Sequence, residues 1–142
     1  MKLYTPMPAL QGASRIFNDR RSHKVDAGPK LIYFWSMSCL QCKQSIEKLK
    51  EIHARFENRL AIHAIHMPRN DQDYSMEQLK DTIGRLQLPF PVYADHELKI
   101  SDSFENLIVP AYYLFDEQQQ LRFLKYGFLS TKLLQQKIER II

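Results

Sequence analysis

The sequence contains very little cysteine and no long apolar run. Among its 142 residues only Cys39 and Cys42 are cysteines. A pair three positions apart cannot tie distant parts of a chain together, so a structural disulfide framework is excluded. The longest uninterrupted apolar runs, 31–35 and 111–115, have five residues each, whereas a membrane-spanning helix needs about 20. We therefore expect no membrane-spanning segment.

Charge and composition narrow the class of protein without naming a partner. The 20 Lys and Arg exceed the 16 Asp and Glu, and 44% of the chain is hydrophobic, which is too apolar for a disordered chain. The one concentration of basic residues lacks interleaved aromatics, so we interpret it as a solvated loop and expect no nucleic-acid binding. It consists of Arg15, Arg20, Arg21 and Lys24. Prolines at positions 6 and 8 interrupt the apolar N-terminus, so no export signal or lipid anchor is visible and we expect a cytoplasmic protein.

The first half of the chain alternates between strand and helix patterns. Residues 31–35 form a continuously apolar run that predicts a central strand covered on both faces. The apolar spacing of 42, 46, 49, 52 and 56 predicts a helix that begins near Cys39. A second strand is expected at 60–67, and Ser75 with Gln78 has the spacing of a capping box at the start of the next helix.

The second half adds a hairpin and a closing helix. We predict a short strand at 89–95, a short helix at 96–107, and a hairpin of strands 111–116 and 121–126. The last helix should open at Ser130. Its inward side chains would be Leu133, Leu134, Ile138 and Ile141. This order predicts a single domain, 1–142, with the fold of a three-layer α/β sandwich around a mixed sheet.

The position of the cysteines gives them different chemistry. Cys39 follows the strand and opens the helix, so its sulfur would lie beside unpaired backbone N–H groups that favour a thiolate. Cys42 falls on the apolar stripe one turn later and should be less exposed. We therefore assign Cys39 as the attacking sulfur and Cys42 as the resolving sulfur.

A cysteine pair with this spacing has other interpretations. The two thiols could be incidental core residues, or they could bind zinc together with His63 and His66. Both histidines lie in a predicted strand, where residues three apart point to opposite faces, so we disfavour zinc. Redox use is the preferred interpretation, and no metal or other cofactor is expected.

Three other features could belong to a site. Val109-Pro110 precedes the hairpin; a proline there is commonly a strand-edge residue, but a cis bond could expose backbone groups to an extended substrate. Trp35 could shape the surface around the cysteines, although an aromatic residue in a buried strand is more often core. His66 and Arg69 could line a substrate groove beyond the strand ends, but satisfied loop polar groups are the more frequent outcome.

Taken in order, these features resemble the thioredoxin-like family, in particular its TlpA/ResA branch. Residues 34–43 read Phe-Trp-Ser-Met-Ser-Cys-Leu-Gln-Cys-Lys within a strand-helix-strand unit, and Val109-Pro110 follows later. Similar segments at 1–3, 6–8, 66–69, 104–106 and 109–113 extend the resemblance to a soluble bacterial member over nearly the whole chain. The resemblance implies a thioredoxin fold, dithiol-disulfide exchange through nucleophilic Cys39 and resolving Cys42, and a cis Val109–Pro110 bond.

The chain departs from the family pattern at three positions. Thioredoxin itself carries a buried acid six residues before the first cysteine, and Tyr33 stands there in this chain. Many relatives have a proline five residues after the second cysteine, where this chain has Glu47, so its active-site helix is expected to be straighter. Ser45 occupies a position at which TlpA/ResA relatives often carry Glu. These differences leave the handling of protons to be determined from the structure.

The predicted function is a thiol-disulfide oxidoreductase with a thioredoxin-like fold. It would exchange disulfides with protein substrates, as a reductant, through Cys39 and Cys42, with Val109, Pro110 and Trp35 beside the substrate. We expect a monomer and an electron donor such as a thioredoxin reductase-like system, with no nucleic acid or membrane as partner. The competing interpretation is a non-catalytic binding module or metallochaperone. A peroxidase using Cys39 is disfavoured because the Thr-x-x-Cys pattern of peroxiredoxins is absent.

Overall fold

Six strands and four α-helices make up the described part of the chain, residues 1–19 and 27–142 of a computed structural model. The strands and helices in chain order are β1 (Arg15–Phe17), β2 (Lys30–Trp35), α1 (Leu40–Arg55), β3 (Ala61–His66), α2 (Met76–Leu86), β4 (Val92–Ala94), α3 (Lys99–Ser103), β5 (Ala111–Phe115), β6 (Leu121–Tyr126) and α4 (Thr131–Glu139). A turn of 3₁₀-helix, Asp71–Tyr74, precedes α2. The predicted order of strands and helices from 31 onward is confirmed.

The strands form one mixed sheet in the order β1-β4-β3-β2-β5-β6. β2, β3 and β4 run parallel, and β5, β6 and β1 are antiparallel to their neighbours. Every residue of β2 is buried, because this strand has a neighbour on each side and helices over both faces. The carboxyl ends of β2 and β3 lie side by side, with Trp35 paired to His66.

The two faces of the sheet are covered by different helices. The Tyr33 hydroxyl donates to the Cys42 carbonyl of α1, whereas the ring of the next residue, Phe34, packs edge-on against Phe104 just after α3. Successive strand residues point to opposite faces, so α1 and α3 lie on opposite sides. α4 packs against α1. The predicted three-layer α/β sandwich around a mixed sheet is confirmed.

Side-chain caps fix the starts of two helices at the predicted residues. Ser75 accepts a hydrogen bond from the backbone N–H of Gln78 over 3.1 Å, and Ser130 accepts one from Leu133 over 3.2 Å. Each bond satisfies one of the backbone donors that the first turn of a helix leaves unpaired. These helix starts are therefore decided by local sequence.

Several sequence-based boundaries were wrong. Strand β1 was not predicted; it pairs with β4 and contains Arg15, whose guanidinium lies 4.5 Å from the centre of the Phe17 ring. Arg15 is therefore not part of a solvated loop, and Arg20, Arg21 and Lys24 lie outside the described residues. The helix expected at 96–107 is limited to α3. Leu133 is 38% exposed, so its predicted inward position was also wrong.

Candidate active site

The two cysteines lie where the central strand passes into the first long helix. Cys39 is the N-cap residue of α1, with extended backbone angles of φ −98° and ψ 106°. Its sulfur accepts a hydrogen bond from the backbone N–H of Cys42 over 3.1 Å, as a capping side chain does. A disulfide joins Cys39 and Cys42. The prediction that the helix begins near Cys39 is confirmed, and the structure is that of the oxidised pair.

The two cysteine residues differ in their exposure to solvent. Cys39 keeps 9% of its surface exposed, whereas Cys42 is fully buried. Within the described residues 40–43, the first turn of α1 contains no acidic side chain, so nothing on the helix itself offsets the positive end of its dipole. Cys39 is therefore the more exposed of the two cysteines, and the helix terminus would stabilise a thiolate at its sulfur.

Tyr33 occupies the position where thioredoxin has a buried acid, but it cannot accept a proton as that acid does. Its hydroxyl donates to the Cys42 carbonyl oxygen over 2.8 Å, and its ring centre lies 5.0 Å from that of Tyr112. Burial, followed by the proximity of Tyr112, raises the pKa of Tyr33 well above its usual value. Tyr33 therefore stays protonated and supports the helix rather than accepting a proton from Cys42.

The other two departures from the family pattern have simple structural outcomes. Ser45 donates to the carbonyl oxygen of Gln41, one turn earlier, over 3.0 Å. Glu47 lies on the surface and pairs with Lys50 at 3.5 Å. Because neither residue interrupts the backbone, α1 runs without a break from Leu40 to Arg55.

Asp73 is a polar residue of this region that sequence reasoning missed. It lies in the 3₁₀ turn, is buried, and accepts hydrogen bonds from Ser36, Ser38 and the backbone of Arg69. Ser36 and Ser38 belong to the turn between β2 and Cys39. No local signal singles out Asp73, because its partners on that turn are more than 30 residues away in the chain.

His66 is buried at the end of β3 and also contacts the cysteine turn. Its Nε2 accepts a hydrogen bond from the backbone N–H of Met37 over 3.1 Å, so Nε2 must be unprotonated. Burial lowers the pKa of His66 to about 4; the charge of Asp73 opposes this shift and His96 adds to it. His66 is therefore neutral at physiological pH and orders the backbone two residues before Cys39.

The structure does not bring the two histidines of the zinc interpretation together. His63 Nδ1 lies 2.9 Å from the Tyr93 hydroxyl, while His66 points to the cysteine turn, as their positions three apart on a strand require. Among the described residues, 1–19 and 27–142, no group of three or more metal-ligating side chains is found. The side chain of Arg69 is exposed, and its backbone N–H, rather than its guanidinium, contacts Asp73.

Trp35 lies beneath the site rather than on its surface. Its side chain is fully buried, and its ring packs edge-on against His66 with 5.1 Å between the ring centres. This placement favours the core interpretation of Trp35. Contact between Trp35 and a substrate stays a prediction, and the burial of the ring speaks against it.

The loop with Val109 and Pro110 lies beside the same end of β2. The Val109–Pro110 bond is cis. Since Ala111 pairs with Phe34, Pro110 is level with the end of β2, where the chain turns towards Cys39. Asn106 holds this loop by donating to the Ile108 carbonyl over 3.0 Å. Among the described residues, neither the backbone N–H nor the carbonyl of Val109 has a hydrogen-bond partner.

Exposed apolar side chains surround this end of the sheet. We call the following four residues the apolar rim. They are Leu40, which follows Cys39, Leu107 and Ile108, which precede Val109, and Phe128, which follows β6. The segment that contains Phe128 meets the Val109–Pro110 loop, because Gly127 donates to the Pro110 carbonyl over 2.8 Å.

No helix in the described ranges has the length and apolar character needed to cross a bilayer.

Comparisons with known proteins agree with this geometry. Residues 4–124 match the AhpC/TSA family. The chain is 35% identical to the thiol-disulfide oxidoreductase YkuV of Bacillus subtilis (strain 168), an alignment that covers 100% of this chain and 97% of YkuV. A solution structure of a thioredoxin-like protein in the oxidised form superimposes with a TM-score of 0.87 and 34% identity, covering 99% of this chain and 97% of that one. The crystal structure of StoA from Bacillus subtilis shares the fold, with a TM-score of 0.68, 15% identity, and coverage of 78% and 82%.

The family resemblance inferred from the sequence is thus confirmed over the whole chain. A disulfide between Cys39 and Cys42 at the start of α1 is the redox centre expected of this fold. The family match and the similarity to full-length YkuV assign the activity. The chain therefore belongs to the AhpC/TSA family and is a thiol-disulfide oxidoreductase of the thioredoxin-like type.

Proposed function

We propose that this oxidoreductase reduces disulfide bonds in protein substrates, with Cys39 as the nucleophile and Cys42 as the resolving thiol. The observation that carries this proposal is the unequal placement of the two sulfurs. Cys39 caps α1 and keeps 9% of its surface exposed, while Cys42 is fully buried. A substrate disulfide can therefore meet only Cys39, and the mixed disulfide that forms can be attacked only from inside by Cys42.

The reaction takes place in two exchange steps. The Cys39 thiolate attacks one sulfur of the substrate disulfide; a bond from Cys39 to that sulfur forms, the substrate S–S bond breaks, and the released thiolate takes a proton from water. Cys42 then loses its proton, and its sulfur displaces the substrate sulfur from Cys39. Two electrons pass to the substrate, its second sulfur is protonated, and the Cys39–Cys42 disulfide of this structure results.

Residues around the disulfide would bind the substrate through its backbone and its apolar side chains. The free backbone N–H and carbonyl of Val109, at the cis bond to Pro110, suit pairing with an extended peptide in the manner of an added strand. The apolar rim offers surface to side chains of an unfolded or loosely packed segment. This arrangement favours protein disulfides over small disulfides as substrates.

The proposal also covers the direction of electron transfer, the cellular compartment and the electron donor. A protein reductant needs a donor that supplies two electrons and two protons, such as a thioredoxin reductase-like system, and the cytoplasm of a bacterium is the setting in which we place it. The monomer is the form we propose to be active. The proposal is supported by YkuV, whose name is that of a thiol-disulfide oxidoreductase.

Turnover of a protein disulfide tests the proposal. Insulin should be reduced much faster with dithiothreitol plus this protein than with dithiothreitol alone, and Cys39→Ser should remove the acceleration. A wild-type protein that gives no acceleration but binds zinc would instead support the binding-module interpretation. For direction, equilibrium with glutathione should give a reduction potential nearer the about −270 mV of thioredoxin than the about −120 mV of a strongly oxidising relative. A value near the latter would reverse the proposed direction.

A further inference from the structure

Both carboxylate oxygens of Asp73 accept hydrogen bonds from the turn that leads into Cys39. Its Oδ1 accepts from the Ser38 backbone N–H over 3.1 Å, and its Oδ2 accepts from the hydroxyls of Ser38 at 2.7 Å and Ser36 at 2.9 Å. Oδ2 also accepts from the Arg69 backbone N–H over 2.9 Å. The two hydroxyls lie 2.8 Å apart. One buried carboxylate therefore holds the turn of residues 36–38 in a single arrangement.

This carboxylate keeps its negative charge although it is buried. Burial by itself would raise the pKa of Asp73, but the hydrogen bonds from Arg69, Ser38 and Ser36 outweigh burial, and the pKa is lower than usual. The charged carboxylate is hydrogen-bonded to Ser38, the residue before Cys39. The first turn of α1, which lies within the described residues, has no acidic residue. Asp73 therefore brings a carboxylate near the start of this helix from a distant part of the chain.

Other titratable groups near the turn differ from Asp73 in their surroundings. Lys43, Asp81 and Arg85 line an open groove of about 240 Å³ that Asp73 also borders, and Arg85 is paired with Asp81 at 2.9 Å. His66, on the inner side, accepts from Met37 and is neutral. Among these groups, Asp73 is the charged side chain that is both buried and hydrogen-bonded to the turn. Solvent therefore screens its charge less than the charges of the others.

We propose that Asp73 is a positioning residue that fixes the 36–38 turn and, through its charge, opposes the Cys39 thiolate, making the dithiol a stronger reductant. The reasoning is electrostatic. A negative charge near Cys39 destabilises the thiolate of the reduced protein but leaves the neutral disulfide almost unaffected. The dithiol therefore gives up its two electrons more readily. This inference rests on the proposed function, since it explains how the site is set for reduction.

Two variants separate the charge from the hydrogen bonds. Asp73→Asn removes the charge and keeps one accepting oxygen, whereas Ser38→Ala keeps the charge and removes one donor that neutralises part of it. The measurements are the pH dependence of Cys39 alkylation in the reduced protein, followed by peptide mass spectrometry, and the equilibrium of the pair with glutathione. Thermal unfolding of each variant shows that it is folded.

The expected effects of the two variants have opposite signs. Asp73→Asn should move the alkylation profile to lower pH and move the glutathione equilibrium towards the dithiol. If the profile moves by about one pH unit, the alkylation rate at pH 7 should rise by up to about tenfold. Ser38→Ala should move the profile to higher pH. If both variants move it in the same direction, or if Asp73→Asn leaves it unchanged, the inference is overturned and Asp73 is merely structural.

Two further outcomes are also decided. If Asp73→Asn does not fold, Ser38→Ala alone settles the question, because a profile that stays in place or moves to lower pH contradicts the inference. Alkylation and glutathione equilibrium require no protein substrate. A wild-type protein that fails to reduce insulin while the variants behave as expected would therefore refute the proposed function and leave the role of Asp73 standing.

Discussion

Acid should destabilise the protein through His66, well above the pH range in which carboxylates titrate. This side chain is fully buried at the end of β3, and its Nε2 accepts a hydrogen bond from Met37. A second ring proton would replace that bond with a clash of two donors and would bury a charge. Burial accordingly lowers the pKa of His66 to about 4 in the folded protein, against about 6.5 in an unfolded chain.

The sign and size of the effect follow from these two values. Between about pH 6.5 and pH 4 the unfolded chain binds a proton that the folded chain does not, so the free energy of unfolding decreases as the pH falls through this window. At pH 5 the loss relative to pH 7 is about 2 kcal/mol. Asp73, whose pKa is lowered from 3.8, adds a further loss only as the pH falls below that value. His53, whose pKa is also lowered by burial, acts in the same direction as His66 but is less buried.

Urea unfolding at pH 7 and pH 5, followed by circular dichroism, measures the effect. His66→Gln keeps an oxygen that can accept from Met37 but does not titrate, so its free energy of unfolding should lose about 2 kcal/mol less than that of the wild type between the two pH values. His53→Gln is the matched control and should retain most of the wild-type loss. An equal pH dependence in the wild type and His66→Gln would refute the assignment of a buried, neutral His66.

Three further predictions concern the site and its supports. Leu107→Ser, at a rim residue that is 86% exposed, should raise the KM for a protein disulfide by about tenfold, while Leu3→Ser, 58% exposed beside the start of β6, should not; equal effects in steady-state kinetics would argue against a docking role for the rim. Tyr33→Phe should lower the free energy of unfolding by about 1 kcal/mol in urea titration yet leave the pH profile of Cys39 alkylation in place, and a displaced profile would show that the phenol handles protons. Asp95→Ala removes the acceptor for the backbone N–H groups of Ile100 and Ser101 and should lower the free energy of unfolding by about 2 kcal/mol. A decrease smaller than about 0.5 kcal/mol, the size expected of a neutral surface substitution, would contradict a capping role of Asp95 at α3.

The features that the sequence predicts well depend on neighbours in the chain. Cys39 caps α1, and Ser75 and Ser130 cap their helices, because the donor and acceptor of each bond lie three residues apart. The central strand could also be predicted, since a continuous run of apolar residues is typical of a strand buried on both faces. The position of the cysteine pair at the start of α1 could be predicted because it depends on these local elements.

The features that the sequence did not predict depend on distant partners. Strand β1 has three residues and exists because it pairs with β4, nearly 80 positions later. Asp73 lies in a polar stretch that contains a second aspartate, Asp71, and only the folded chain shows which of them meets Ser38. Leu133 fits the apolar spacing of α4, yet its neighbour Leu134 fills the core and leaves it exposed.

The identity of the trapped intermediate tests the central claim most directly. In Cys42→Ser, Cys39 can still attack a substrate disulfide, but a serine hydroxyl cannot displace the substrate sulfur, so a covalent adduct with the substrate protein should accumulate. The adduct should migrate slowly on a non-reducing gel, disappear with dithiothreitol, and contain Cys39 linked to a substrate cysteine by mass spectrometry. If Cys42→Ser instead keeps full turnover of protein disulfides and accumulates no adduct, resolution does not use this pair, and the dithiol mechanism is wrong.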